Sequence, residues 1–357
     1  MSIKHSLKDS HSPWMDGQGQ ESDIIISSRI RIARNLAKLP FPHLLSFEQA
    51  DQVISSVGDA IRKNIPPGKT GDFELIRMTD LPSVERQVLV EKHLISPDLL
   101  DDFQKKAVAV RKDEILSVMI NEEDHLRLQC LMAGLNLNEA WNLINLLDNE
   151  LEAVLDYSFD EHLGYLTACP TNVGTGIRAS VMLHLPGLVK INQIKSVLFT
   201  INKLGLAVRG LYGEGTEASG NLFQFSNQIT LGQTEEDIIT NLISVARQLL
   251  NQERAAREAL FKQRREQMED RSGRAYGLLK HANLMSSDEV MQLLSDFRLG
   301  IDFGFIKDIP ANLVSELIVL TKPAFLIKKA GRDLTPFECD LYRMKMIREK
   351  LAEVEQA

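Results

Sequence analysis

Apolar and polar positions follow two periods along this chain, and the change between them divides it. Residues 1–22 are polar, contain Gly and Ser, and read as a flexible N-terminal arm. Asp23-Ile24-Ile25-Ile26 then opens a β-type run. Ser46 followed by Gln49 has the form of a capping box and predicts a helix to about Lys63, stopped by Pro66-Pro67-Gly68. Phe73 to Met78 reads as a strand, Ser96-Pro97 as the start of another helical stretch, and Ile115 to Ile120 as a strand that runs into the densely polar Asn121 to Gln129. Residues 137–156 have helical pattern, and so does Ile194 to Leu204, which ends at Gly205. Leu166 to Leu185 is mixed, and Leu206 to Leu231 has strand character broken by glycines. Strands and helices spaced in this way predict an α+β domain on a mainly antiparallel sheet, over residues 23–255.

Beyond it the pattern becomes helical. Thr234 with Asp237 starts a helix that runs past Arg257. Residues 251–274 are charged on nearly every face, which predicts an exposed helical connector at 256–274. Ser286 with Glu289, and Thr335 with Glu338 behind Pro336, are two further capping boxes. Residues 275–357 therefore form a small all-helical C-terminal domain.

Composition removes several functional classes. The net charge is −8 and the pI about 5.6, which argues against a nucleic-acid-binding role. Arg254, Arg257, Arg264 and Arg265 are interleaved with Glu253, Glu258, Glu266 and Glu269, so they make no basic stripe. The three cysteines, Cys130, Cys169 and Cys339, form no CxxC pair and no zinc spacing, so no protein-held metal is expected. The N-terminus has no apolar signal region and no stretch is long enough to span a bilayer, which places the expected location in the cytoplasm.

Four polar clusters border apolar runs: Ser27 to Asn35 (SSRIRIARN), Asn121 to Gln129 (NEEDHLRLQ), Cys169 to Val181 (CPTNVGTGIRASV) and Arg209 to Gly220 (RGLYGEGTEASG). Each alone has an ordinary reading as a solvated strand, turn or hairpin. Together they place Arg29, Arg31, Arg127, Arg178 and Arg209 at strand ends or glycine loops, beside Glu123 and Glu214. On a strand Arg29 and Arg31 point to one face, where two like charges need an anion between them. The planar arginine fork suits phosphate. A guanidinium acceptor in turn needs carboxylates to orient it and take its proton.

In order and spacing these four motifs resemble the ATP:guanido phosphotransferases, the family of creatine and arginine kinases. The resemblance implies a curved antiparallel sheet flanked by helices, with ATP as donor and Mg²⁺ carried on the nucleotide. It implies nucleotide contacts at Ser27, Ser28, Arg29, Ile30 and Arg31, at His93 and Arg127, at Arg178, Ala179, Ser180, Val181 and Met182, and at Arg209, Gly210, Leu211, Tyr212, Gly213 and Glu214. Metabolite kinases of the family usually have histidine where Met182 stands. The guanidinium-binding acids match Glu123, as base, and Glu214, as its partner. Cys169 matches the family's assisting cysteine.

Two departures point to one branch of the family, the bacterial protein-arginine kinases. Only 26 residues, 22 of them the polar arm, precede Ser27-Ser28, where small-molecule members carry a helical domain, and a helical domain follows the catalytic one. The expected acceptor is then arginine on a protein, with a kinase for a small guanidino compound or a phosphoarginine-binding adaptor as alternatives. The branch implies a role in stress response and protein quality control, a homodimer, an activating adaptor of the McsA type, and clients that include a heat-shock repressor and proteins destined for a Clp protease. It also implies a regulatory phosphoarginine receptor of the form RDxxRA. Here the matching stretch is Cys339 to Met344, which keeps Asp340 and Arg343 and loses the first arginine to Cys339. An amphipathic helix with Leu341, Met344 and Ile347 turned inward accounts for the same stretch.

Overall fold

The computed structural model describes residues 7, 10–65, 70–209 and 219–356. An eight-stranded sheet forms the frame, in the spatial order β2-β3-β4-β5-β1-β8-β10-β9. Its strands are β1 (Ile25–Arg34), β2 (Phe73–Arg77), β3 (Ala107–Arg111), β4 (Leu116–Ile120), β5 (Leu126–Ala133), β8 (Ile177–His184), β9 (Leu206–Arg209) and β10 (Leu222–Asn227). All neighbours pair antiparallel. The short β6 (Phe159–Asp160) and β7 (Gly164–Tyr165) make a separate hairpin.

The back face is packed by helices. Ile30 and Ile32 of β1, Leu128 of β5 and Val181 of β8 meet Val53 and Val57 of α1 (Phe47–Asn64), Leu147 of α3 (Leu137–Glu152), and Leu242 and Leu249 of α6 (Glu235–Gln263). The Ser46–Gln49 capping box is present at the start of α1. Between α1 and α3 lies α2 (Ser83–Glu91), and α4 (Pro186–Lys190) and α5 (Ile194–Lys203) follow β8. The helical stretch expected from Ser96 is a single 3-10 turn, Pro97–Leu100. Asn121 to Gln129 divides into a tight turn and the start of β5, whose alternation the preceding run of acids obscures.

After α6 the chain bends at Arg264, which has non-helical dihedrals, and continues as α7 (Arg265–His281), α8 (Ser287–Asp302), α9 (Asn312–Leu320), α10 (Pro323–Ala330) and α11 (Pro336–Glu355). The Thr335–Glu338 capping box is present at α11. Two expectations need correction. The charged connector is not exposed on all faces: Glu253, Ala256, Arg257 and Leu260 are buried, and Glu253 accepts from the amides of Gly187 and Leu188 at 2.8 and 2.9 Å. The described part of the expected N-terminal arm is packed: Trp14 and Met15 are buried, and Leu135 N donates to Gln20 O at 2.7 Å. A Cβ on Gly19 would lie 2.2 Å from Ala133 O, so that approach admits only glycine.

This N-terminal segment is part of a second core. Val108, Met119, Leu131 and Met182 on the front of the sheet, Trp14 and Met15, Val88 and Leu89 of α2, and Phe297, Leu317, Phe325 and Ile347 of the C-terminal helices form one apolar cluster. Among the described residues no helix is long and apolar enough to cross a membrane.

Candidate active site

Alternation along β1 sorts its side chains. Ile30 and Ile32 enter the back core, and Arg34 follows them, buried against Asp148 at 2.6 Å. Ser27, Arg29 and Arg31 face the front. The register sets Ser180 and Arg178 of β8 opposite Arg29 and Arg31, and Gln129 of β5 opposite Arg31, with Arg127 two positions away. Four guanidinium groups thus share one end of the front face. Burial, then the charges of Arg127 and Arg29, hold the Arg31 pKa well below the usual arginine range. Its Nε is buried with no hydrogen-bond partner. An unmet buried donor costs about 1–3 kcal/mol, and an anionic ligand would relieve both the repulsion and the missing bond. Arg29, Arg31, Arg127, Gln129, His93 and Gln224 line a cleft of about 940 Å³, a volume suited to a nucleotide.

The turn from Asn121 to His125 adjoins this cleft through Glu122, which is bonded to the cleft-lining Arg127 and Ser96. Asn121 has φ +59° and donates to the carbonyls of Ala50 and Lys105 at 3.1 and 2.9 Å. Asn35 clamps the turn, donating to Asp124 Oδ1 at 2.6 Å and accepting from His125 N at 2.9 Å. His125 Nδ1 accepts from Leu36 N, so its Nε2 carries the proton toward Pro40 O, and burial pushes its pKa down to about 4. Glu122 is buried. Burial opposes its charge, but Arg127 Nη1, at 2.6 and 2.5 Å from its two oxygens, and the Ser96 hydroxyl reverse this and hold the carboxyl below its ordinary range. Glu123, by contrast, is at the surface. Partial shielding of its carboxyl raises its pKa, opposed by Arg127 and reinforced by Asp124 and Glu122. The two adjacent glutamates are therefore separated by packing, Glu122 being buried and ion-paired with Arg127 and Glu123 exposed.

Asp124 Oδ1 also accepts from Ala168 N at 2.8 Å, which brings Cys169 beside the turn. Cys169 is half-buried, with Sγ 3.0 Å from Thr171 Oγ1. His93, which also lines the cleft, has φ +60° and meets the edge of Trp14 with ring centroids 5.5 Å apart. Burial, with the charges of Arg29 and Lys322, pushes His93 down to about 3, so its ring is neutral. Ser27, Ser180 and Met182 lie next to this pair.

Not every expected contact faces the cleft. Ser28 donates to Gly134 O at 2.7 Å and accepts from Asn136 N at 3.0 Å behind the sheet, and Ile30, Ala179 and Val181 lie in the back core. The backbone of Arg209 pairs opposite Gln224, while Gly210, Leu211, Tyr212, Gly213 and Glu214 lie outside the described residues. Arg343 is buried, ion-paired with Asp340 and donating to the carbonyls of Thr321 and Met285 at 3.0 and 2.8 Å. Cys339 beside it is buried. Among the described residues no three His, Cys, Asp or Glu side chains converge as a metal site. Glu122, Gln129, Gln224 and Trp14 were not anticipated. Gln129 was legible as the same-face neighbour of Arg127, and Trp14 as a large apolar side chain in a polar segment.

Residues 52–256 match the ATP:guanido phosphotransferase C-terminal catalytic domain, and residues 265–357 match the protein-arginine kinase McsB C-terminal domain. The chain belongs to the ATP:guanido phosphotransferase family. Within this family it is similar to the protein-arginine kinase of Pelotomaculum thermopropionicum, 58% identical over 352 residues and 99% of each chain. The protein-arginine kinase of Bacillus subtilis is 50% identical over 351 residues, 98% of this chain and 96% of that one. Among solved structures, lombricine kinase aligns over 70% of this chain and 72% of its own, with a TM-score of 0.57 and 24% identity. The duplicated taurocyamine kinase of Schistosoma mansoni with bound transition-state-analogue components aligns over 65% of this chain, with a TM-score of 0.58 and 24% identity, and the match spans 33% of that longer enzyme. These likenesses carry the phosphagen-kinase fold, and the family makes this chain an ATP-using phosphotransferase.

Proposed function

We propose that the protein transfers the γ-phosphoryl group of ATP to arginine side chains of other proteins. The observation that carries this reading is the placement of Glu123 at the surface, in the turn that adjoins the arginine-lined cleft through the bonds of Glu122 to Arg127 and Ser96. A carboxylate that opens outward can meet a guanidinium presented on a protein, and the similar chains named protein-arginine kinase match over nearly their whole length.

The chemistry follows from this chain's residues. Arg29, Arg31, Arg127 and Arg178 hold the phosphates and offset charge as it moves toward the β-phosphate side of the breaking bond. Glu123 orients the acceptor guanidinium through charge-assisted hydrogen bonds and takes one of its protons as nitrogen attacks phosphorus. The N–P bond forms, the bond from γ-phosphorus to the bridging oxygen breaks, and ADP retains the negative charge among the arginines. Mg²⁺, carried by the nucleotide and not by a protein cage, would supply shielding of the phosphate oxygens beside these arginines. The same reading gives Glu214 as partner to Glu123, and Cys169 as a polar neighbour of the acceptor. It includes cytoplasmic location, a homodimer, an activating McsA-type adaptor, and heat-shock repressor and Clp protease clients.

The test is incubation with labelled ATP and Mg²⁺, with an unfolded protein and free arginine offered in parallel. Acid-labile label on the protein alone supports the reading. Label on free arginine alone replaces it with a small-guanidine kinase.

A further inference from the structure

The cleft is lined from both parts of the chain, with α2 of the catalytic domain and the start of α10 side by side on it. Together with Arg29 and Arg31 it is lined by Lys322, Pro323 and Ala324 of the C-terminal domain, at the start of α10. Lys322 is largely buried, yet its charge acts on the ring of His93, as does that of Arg29 from the sheet. The cations from the two domains therefore approach the same end of the same cleft.

The segment that carries Lys322 is fixed from both sides. In front, the Glu91 carboxylate of α2 accepts from Ala324 N and Phe325 N, both at 3.0 Å. Behind, Arg343 of α11 grips Thr321 O at 3.0 Å and Met285 O at 2.8 Å. Thr321 is the residue before Lys322, so the α11 guanidinium is one peptide unit from the lysine. Arg343 is 2% exposed and committed to these carbonyls and to Asp340.

We propose that Lys322 is a nucleotide-binding residue supplied by the C-terminal domain, reaching the polyphosphate from the start of α10, and that Arg343 is the positioning residue that holds it there. The proposal rests on the reading of this cleft as the nucleotide site. A single ammonium suits this place: a compact charge on a flexible stem reaches an oxygen without the planar approach an arginine fork requires. The catalytic domain then binds ATP fully only with α10 in place, and any event that loosens Arg343 from Thr321 O is read at the nucleotide.

The experiment compares the full-length wild type with Lys322→Gln, Lys322→Arg, Arg343→Lys and Arg31→Ala. Binding of ATP, ADP and adenosine is measured by calorimetry, and phosphorylation of an unfolded protein gives kcat and KM. Lys322→Gln should weaken ATP about tenfold, leave adenosine unchanged, raise KM for ATP more than it lowers kcat, and reduce the salt dependence of ATP binding. Lys322→Arg should recover part of the affinity. Arg343→Lys, with one donor set in place of a fork, should show the same pattern as Lys322→Gln more weakly. A purely structural role would instead lower the melting temperature and weaken ATP and adenosine alike, and that result overturns the proposal. Unchanged ATP affinity in Lys322→Gln alongside lost binding in Arg31→Ala overturns the lysine assignment alone. Unchanged affinity in both overturns the nucleotide reading of the cleft and the proposal with it.

Discussion

Glu122 and Glu123 are neighbours in sequence and share a chemical type, so composition and spacing cannot divide their work. Packing does: Glu122 lies under the turn with both oxygens on Arg127, and Glu123 is left at the surface. Each neutral variant then fails differently. Glu123→Gln should keep ATP affinity and lower kcat by roughly 100-fold or more, the scale of a lost proton acceptor. Glu122→Gln should weaken ATP by about tenfold through the loosened Arg127, with a smaller effect on the transfer step itself. Calorimetry beside single-turnover kinetics separates the two. A reversed pattern would move the acceptor site to Glu122. The resemblance singles out Glu123 from this motif and gives Glu122 no role. The part of Glu122 was not legible, because the turn that buries it is held by Asn35, Ala50, Pro40 and Ala168, which come from distant parts of the chain.

At the scale of elements, the most informative strand is β1. Its period of two sends Arg29 and Arg31 forward and Ile30 and Ile32 back, and that alternation is legible in the order of its residues alone. Helices with a capping residue are equally legible, since Ser46, Thr234, Ser286 and Thr335 each accept from the amide three residues on. The strand β5 is not, although Leu126-Arg127-Leu128-Gln129-Cys130 alternates well, because the five preceding polar or charged residues, Asn121 to His125, continue into it without a break. The far end of α6 misleads for the opposite reason. Glu253 and Arg257 look like solvated surface charges, yet Glu253 is fully buried, pairs with Arg257 at 2.8 Å and caps the amides that begin α4. Glu253→Ala leaves two buried amides without their acceptor and Arg257 with Asp302 as its remaining carboxylate partner, and should cost about 3–5 kcal/mol of stability by chemical denaturation. A loss under about 1 kcal/mol would return α6 to the status of an exposed connector.

The whole molecule is bound by polar contacts between the catalytic and C-terminal regions as well as by the front core. His184 Nε2 meets Ser295 Oγ at 2.8 Å, Lys190 pairs with Asp296 at 2.7 Å, and Arg298 donates to Ser22 O at 2.9 Å. Buried neutral histidines make such a structure sensitive to acid. His125 falls from an ordinary 6.5 to about 4 on folding, so between these values the unfolded chain binds more protons than the native one. Its stability contribution is complete above pH 6.5 and is lost as pH falls toward 4. The difference in unfolding free energy between wild type and His125→Gln should therefore shrink by about 2–3 kcal/mol from about pH 7.5 to about pH 4. A difference independent of pH would mean that His125 titrates normally in the native state. The shared front core has a consequence for inheritance. The two family segments meet beside Arg264 and look separable by their boundaries, but Trp14, the sheet and Phe325 pack in one apolar cluster. A gene cut at that joint would leave each product with a raw apolar face, so shuffling of these modules between lineages must carry both halves together, or replace both sides of the seam at once.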